Sequence, residues 1–329
     1  MGRGGVGILG TGSCLPEKVL TNADLEKLVD TSDEWIRQRT GMSERRIAAG
    51  AETATSLAIR AAQAALADAG VDGSRIGLVI VTTCTADYYS PSISCQVQHA
   101  IGAPPCAAFD MNAACTGSVY GLVVAKHHID AGMCDYALVV SAELLSRLVD
   151  WTDRATCVLF GDGAGAFVLG RTPGGYGLLS STLMSDGAGA NMITIPGIHI
   201  SDLDIERRGG QKKQTIWMDG GKVMKFASRA MVSSIEAVLE KAGLSLGDLS
   251  LVIPHQANKR IIDNAAKKLQ LGPDRLFVNV QKYSNTSSAS VPIALDEARR
   301  EGRIRRGDHV ALVAFGAGLT YGAALMRWA

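Results

Sequence analysis

The sequence predicts an α/β protein assembled from two homologous halves, and three observations carry that reading. Helical hydrophobic patterns alternate with short β-branched runs along the whole chain, as expected for buried strands between helices. A stretch of about seventy residues recurs at one constant offset. The 329 residues, 47% hydrophobic and 20% charged, supply enough apolar side chains for one or two sizeable cores.

The clearest strands are Leu78-Val79-Ile80-Val81, Tyr136-Ala137-Leu138-Val139-Val140, Leu251-Val252-Ile253 and Val310-Ala311-Leu312-Val313, and they fall into two pairs. An offset of 173 residues carries Leu66-Ala67-Asp68-Ala69-Gly70-Val71 onto Leu239-Glu240-Lys241-Ala242-Gly243-Leu244. The same offset carries Leu78-Val79-Ile80 onto Leu251-Val252-Ile253, Asn112 onto Asn285 and Asp135 onto Asp308. Glycine-rich segments, Phe160-Gly161-Asp162-Gly163-Ala164-Gly165 and Phe315-Gly316-Ala317-Gly318, end the two halves. The expected division is 1–172 and 173–329, with the boundary near Arg171-Thr172-Pro173-Gly174-Gly175 and a site drawing residues from both sides of a pseudo-two-fold axis. The aperiodic stretch from Met184 to Gln214 is expected to be a lid, a pocket wall or a solvated loop.

Charge and cysteine content narrow the function. With 33 basic and 32 acidic residues the formal charge is +1, so no global field recruits nucleic acid or an anionic membrane, and an acidic partner must meet a local patch. Met1 to Gly12 has no apolar leader and no run of 18 apolar residues occurs, which points to a cytoplasmic chain. Seven scattered cysteines without a Cys-x-x-Cys pair argue against a disulfide framework or a metal site, and most are expected to be small buried hydrophobes.

Three positions stand out for chemistry. Cys115, in Asn112-Ala113-Ala114-Cys115-Thr116-Gly117-Ser118, precedes a helical run from Val119 to Ala131, and a helix N-terminus favours thiolate over thiol. His255 follows the strand Leu251 to Ile253 and precedes the helical pattern Lys259 to Leu269, placing it at the crevice where open α/β sheets bind ligands. Asn285 lies in the second half's copy of the Cys115 turn, with Ser288 under Cys115, either as a functional amide or simply as an N-cap. Phe315-Gly316-Ala317-Gly318-Leu319 offers backbone N–H groups for an oxyanion. Gly10-Thr11-Gly12 lacks the third glycine and following helix of a dinucleotide site, and Gly161-Asp162-Gly163-Ala164-Gly165 lacks the Lys-Ser/Thr of a P-loop.

These contexts resemble the Cys-His-Asn set of thiolase-fold condensing enzymes. Thr21-Asn22-Ala23-Asp24-Leu25-Glu26, Thr31-Ser32-Asp33-Glu34-Trp35-Ile36, Phe160 to Gly165, Pro254-His255-Gln256-Ala257-Asn258 and Asn285-Thr286-Ser287-Ser288-Ala289-Ser290 narrow the likeness to β-ketoacyl-acyl-carrier-protein synthase III. The resemblance implies a thiolase-like five-layered αβαβα fold, a homodimer, and decarboxylative Claisen condensation of an acyl-coenzyme A primer with malonyl-acyl-carrier protein. It implies Cys115 as nucleophile, His255 and Asn285 as enolate donors, and the N–H groups of Cys115 and Ala317 as oxyanion hole, with alanine where the family commonly has glycine.

By the same resemblance, Trp35 and Arg154 sandwich the adenine of coenzyme A, Arg39 meets its phosphate and Asn258 its pantetheine arm. Ser90, Leu145, Phe160, Met224 and Phe315 form the acyl pocket, with Ser90 where some members carry an aromatic that enters the partner subunit's tunnel and limits chain length, so that a longer or branched primer is expected to fit. Lys225, Arg260, Lys267 and Lys268 receive the acidic carrier protein. Coenzyme A is a substrate here, and no cofactor is expected. Two rival readings are a starter-loading or acyltransfer enzyme of secondary metabolism with the same Cys-His-Asn set, and a silent condensing partner, which the presence of Cys115 disfavours.

Overall fold

In the computed structural model, which describes residues 5–197, 201–207, 210 and 213–329, the β-branched runs become the inner strands of two mixed sheets. The first contains β1 (Val6–Cys14), β2 (Ile76–Thr82), β3 (Ala107–Met111), β4 (Tyr136–Leu144) and β5 (Asp162–Arg171), in the spatial order β1-β5-β4-β2-β3. The second contains β6 (Gly177–Ser185), β7 (Leu251–Pro254), β8 (His309–Gly316) and β9 (Thr320–Arg327), in the order β7-β8-β9-β6. Strand β2 runs parallel to β3 and β4, and β7 parallel to β8; the other pairs are antiparallel. Read as β6-β9-β8-β7, the second sheet repeats the wiring β1-β5-β4-β2 of the first, and β3 is an additional edge strand.

Seven helices matter for the site: α1 (Asp33–Thr40), α2 (Ala54–Ala69), α3 (Gly117–Asp130), α4 (Arg154–Cys157), α5 (Gly220–Ala242), α6 (Lys259–Leu269) and α7 (Ser290–Arg300). The offset of 173 holds where α2 and α5 end and where α3 and α7 begin. Helices α2 and α5 both stop at a left-handed glycine, Gly70 (φ 62°) and Gly243 (φ 67°), the residue that ends a helix at least steric cost. Helices α3 and α7 begin at equivalent positions, each behind a single 3₁₀ turn, Ala114–Thr116 and Ser287–Ala289.

Alternation along each strand then builds the layers. In β2, Leu78 and Ile80 face one side while Val79 and Val81 face the other, the period of two that strand geometry imposes. The first pair joins Val119 and Leu122 of α3, Val291 and Leu295 of α7, and Ile253 and Leu312 of the second sheet in one central core. Helix α2 covers the outer face of the first sheet, and α5 and α6 that of the second. The result is the five-layered αβαβα fold. Both faces of each sheet are buried, so the inner strands read as unbroken apolar runs.

Glycines set the closest approaches. A Cβ on Gly10 or Gly12 would stand 2.4 Å from the backbone nitrogen of Ala69 or Ala65, so the Gly10-Thr11-Gly12 motif exists to seat the alanine-rich face of α2 on β1. In the segment Phe160 to Gly165, Gly163 and Gly165 lie inside β5, the strand that runs to Arg171. A Cβ on Gly165 would meet Pro292 Cβ at 2.8 Å and Ile293 N at 2.9 Å, so glycine is there to admit α7. The cysteines depart from expectation. All seven are free thiols: Cys157 is buried, Cys95 is exposed and the other five are half-buried, with the thiol groups of Cys84 and Cys115 themselves withdrawn from solvent. Among the described residues no helix is long and apolar enough to cross a membrane. The excursion from Met184 to Gln214 is described in part, and His199 lies outside the described residues.

Candidate active site

The site is built from the two copies of one turn. In the first, Asn112 Oδ1 accepts the Ala114 N–H at 3.2 Å and Ala114 takes a left-handed φ of 47°. In the second, Asn285 Oδ1 accepts the Ser287 N–H at 2.8 Å and Ser287 takes a φ of 50°. Each turn is fastened to the other half. Thr116 Oγ1 lies 2.8 Å from Thr320 Oγ1 of β9, while Ser288 Oγ donates to Thr82 O of β2 at 3.1 Å and to Glu143 Oε1 at 2.8 Å. Gly316 leaves room for Cys115, since a Cβ there would lie 2.8 Å from its nitrogen. At the position equivalent to Gly316 in the first half stands Glu143, fully buried, whose carboxylate fills that space against Ser288.

Cys115, His255 and Asn285 line one apolar cavity of about 350 Å³, together with Phe315, Gly316 and Ala317. His255 is 1% exposed; its N–H donates to Val313 O at 2.8 Å, its ring stands edge-on to Phe315 at 5.2 Å, and its Nδ1 lies 2.6 Å from Ser290 Oγ. Burial pushes its pKa down to about 3, so the ring is a neutral imidazole at neutral pH. Asn285 is pinned through its backbone, donating to Leu159 O at 2.9 Å and accepting from Gly161 N at 3.0 Å. Its Oδ1 is taken by Ser287, and among the described residues Nδ2 takes no partner. Thr286, not Asn285, is the N-cap of the 3₁₀ turn; the Asn285 side-chain carbonyl shapes the bend before it and leaves the amide nitrogen open.

The ionisation of Cys115 overturns the sequence expectation. Cys115 lies within the 3₁₀ turn that leads into α3, and a hydrogen bond from Ser287 favours the thiolate, but desolvation by burial dominates and Glu143 adds repulsion. The thiol is pushed up to about 12. A helix terminus contributes roughly 1 kcal/mol or less in most settings, which a strong desolvation penalty exceeds. Cys84, also lining the cavity, is raised well above its ordinary value by burial and by Glu143, whose Oε2 lies 3.4 Å from its sulfur.

At the cavity mouth, Ser32 caps α1 and sets Trp35 and Arg39 one turn apart; both line the cavity. Arg154, at the start of α4, lies on the Trp35 ring at 4.9 Å and donates to Asp30 O at 2.7 Å. Trp35 and Arg154, the pair named from the sequence, thus stand side by side, with the guanidinium against the indole ring. Asn258 lines the cavity, and both ends of its side chain are used: Oδ1 caps α6 through Arg260 N at 2.9 Å, and Nδ2 donates to Arg39 O at 3.2 Å.

Leu145, Phe160, Met224 and Phe315 form cavity wall. Ser90 does not; it lies in the exposed segment after Tyr88 and Tyr89. Arg260 stands at the mouth, whereas Lys225, Lys267 and Lys268 are exposed on α5 and α6. Sequence reasoning missed Ser290, Glu143 and Cys84, and the wall residues Ile193, Ile195, Ile216 and Met218 from in and beside the excursion. The repeat offset held a signal for two of these, since it places Ser290 under Gly117 and Gly316 under Glu143.

The arrangement matches known proteins over nearly its whole length. The sequence model of 3-oxoacyl-(acyl-carrier-protein) synthase III matches residues 109–187, and that of the C-terminal part of the same family matches residues 239–328. The chain is 51% identical over 323 residues to the β-ketoacyl-(acyl-carrier-protein) synthase III of Symbiobacterium thermophilum, covering 98% of each chain. The crystal structure of the Thermus thermophilus synthase III superimposes with a TM-score of 0.93 at 46% identity, covering 98% of this chain and 99% of that one. A priming β-ketosynthase from a polyketide biosynthetic pathway gives a TM-score of 0.91 at 35% identity, covering 99% and 97%.

Proposed function

The chain belongs to the 3-oxoacyl-(acyl-carrier-protein) synthase III family, and we propose that it condenses an acyl-coenzyme A primer with malonyl-acyl-carrier protein through an acyl-Cys115 intermediate. The observation that carries this reading is the convergence of a thiol, an imidazole and a free amide donor on one apolar cavity. In the first stage Cys115 sulfur attacks the primer thioester carbonyl; the carbon–sulfur bond to coenzyme A breaks and coenzyme A leaves as its thiol. The N–H groups of Cys115 and Ala317, both at the cavity, are the donors for the oxyanion. Because burial keeps the resting thiol protonated, its proton departs during attack.

In the second stage the malonyl thioester loses carbon dioxide, and the electron pair left behind spreads onto the thioester oxygen as an enolate. A neutral His255 donating from Nε2 and the Asn285 amide donating from Nδ2 stabilise that charge in a water-poor site. The enolate carbon then attacks the acyl-Cys115 carbonyl, forming the new carbon–carbon bond and expelling the Cys115 thiolate. Trp35, Arg39, Arg154 and Asn258 serve the coenzyme A arm, and Lys225, Arg260, Lys267 and Lys268 the acidic carrier protein.

A homodimer through β3 fits the same picture. Among the described residues this strand is paired along one edge only, and it carries Phe109 at 40% exposure. The exposed segment Tyr88 to Ser90 follows the adjacent β2, and Ser90 stands where some members carry an aromatic that limits chain length, so its small side chain admits longer or branched primers. Acyl-coenzyme A and radiolabelled malonyl-acyl-carrier protein, supplied with no other enzyme, should yield a labelled β-ketoacyl product. Transfer of the acyl group without that product would instead favour a starter-loading enzyme, a reading to which the likeness to a priming ketosynthase lends support. A panel of acetyl-, isobutyryl- and octanoyl-coenzyme A tests the primer, and strict acetyl preference would count against the Ser90 reading.

A further inference from the structure

We propose that Ser290 is a positioning residue that fixes the tautomer of His255, holding the ring proton on Nε2 where it faces the cavity. Ser290 is 2% exposed, and among the described residues its Oγ has two partners. The Gln256 N–H donates to it at 3.3 Å, which uses a lone pair. His255 Nδ1, at 2.6 Å, is the group left to take the hydroxyl proton. With Nδ1 as acceptor, the neutral ring carries its proton on Nε2. The opposite tautomer would point a proton at an oxygen whose own proton then has no acceptor, an expensive arrangement in a buried place.

The repeat supplies an independent argument that this pair serves the site and not the turn. The offset of 173 places His255 and Ser290 on Thr82 and Gly117 of the first half. There the pair has no counterpart: Gly117 has no side chain, and Thr82 Oγ1 bonds Ser141 Oγ at 2.7 Å instead. The first turn and α3 nevertheless take the same form as the second turn and α7. A serine hydroxyl at the start of the helix is therefore not what folds it. Gln256 holds the other side of the serine, its own side chain fastened to Pro254 O at 2.8 Å and Asn279 N at 3.0 Å, so Oγ is presented to the ring from a fixed frame.

The tautomer assignment stands by itself; the use of Nε2–H as enolate donor rests on the proposed condensation. Nitrogen NMR of the ¹⁵N-histidine-labelled full chain at pH 7.5, without substrate, reads the tautomer directly. The expected result is a protonated Nε2 and an unprotonated Nδ1 for His255, and a protonated Nδ1 would overturn the proposal. In Ser290→Ala the two tautomers should mix, with kcat for carbon dioxide release from malonyl-acyl-carrier protein down about tenfold or more and Cys115 acylation within about twofold. Ser290→Thr, which keeps the hydroxyl, should retain the tautomer and most of kcat. An unchanged tautomer and unchanged kcat in a folded Ser290→Ala would also overturn it. Failure of the unmodified chain to make any β-ketoacyl product would instead count against the proposed reaction, leaving the NMR result to stand separately.

Discussion

Ala114 and Ser287 share one backbone conformation, φ 47° and 50°, each immediately before the residue that the repeat makes equivalent, Cys115 in one turn and Ser288 in the other. An L-residue in the left-handed region costs about 1–2 kcal/mol, more when β-branched. Ala114→Val is therefore expected to lower the unfolding free energy by about 2 kcal/mol. Urea denaturation checks this, and an unchanged midpoint would contradict it.

Cys115→Ser should abolish acyl transfer, because a serine hydroxyl without a strong base supplies no alkoxide near neutral pH. Mass spectrometry after exposure to acyl-coenzyme A should find one acyl group on Cys115 of the unmodified chain and none on the variant. His255→Ala and Asn285→Ala should spare that acylation while condensation falls by about a hundredfold or more, each having lost an enolate donor. Equal loss of both steps would show that the roles are wrongly divided.

Alkylation of Cys115 should accelerate with pH across 7 to 10 without levelling. With the thiol pushed up to about 12, the thiolate fraction grows about tenfold per pH unit over that whole window. Peptide mass spectrometry after timed iodoacetamide treatment resolves Cys115 from exposed Cys95. A plateau between pH 7 and 8 would mean that the helix terminus and Ser287 outweigh burial.

Arg154→Ala removes the guanidinium that lies on Trp35 and opens the indole face. If that face receives adenine with Arg154 shifting to cover it, the variant should raise KM for acyl-coenzyme A about three- to tenfold with little change in kcat, the pattern of lost uniform binding. A lowered KM would mean that Arg154 competes with the nucleotide.

Glu143→Ala should destabilise the chain by about 3 kcal/mol, since it strips Ser288 Oγ, Thr85 Oγ1 and Cys84 N of a buried acceptor. Glu143→Gln keeps one oxygen in place and should cost about half as much. Thermal denaturation of both variants distinguishes this from a carboxylate needed only for its charge, which would make the two equally unstable.

The repeat was the most legible feature because the offset runs without a gap from Leu66 to Asp135, so strand, turn and helix announce themselves twice. Helix α6 is found over the residues its periodicity predicts, since its apolar face is uninterrupted from Ile261 to Leu269. The sequence singled out Cys115 and Asn285 by their turns and His255 by its place after a strand, and the three line one cavity. It could not reveal what desolvation does to Cys115, because that depends on walls contributed by distant segments such as Ile193 and Phe160. Nor could it show Arg154 lying on Trp35, a contact between residues 119 positions apart. Nothing in the string itself shows that the smallness of Gly163 and Gly165 serves a helix arriving from the far half.

Glu143 opposite Gly316 makes the duplicated scaffold lopsided. Where one half keeps a bare backbone and so a doorway, the other has grown a carboxyl plug that locks its serine in place. Trimming the plug and placing a sulfur at position 288 would give the second turn the same opening and the same reactive atom as the first, and so ask how much of the chemistry belongs to the turn itself.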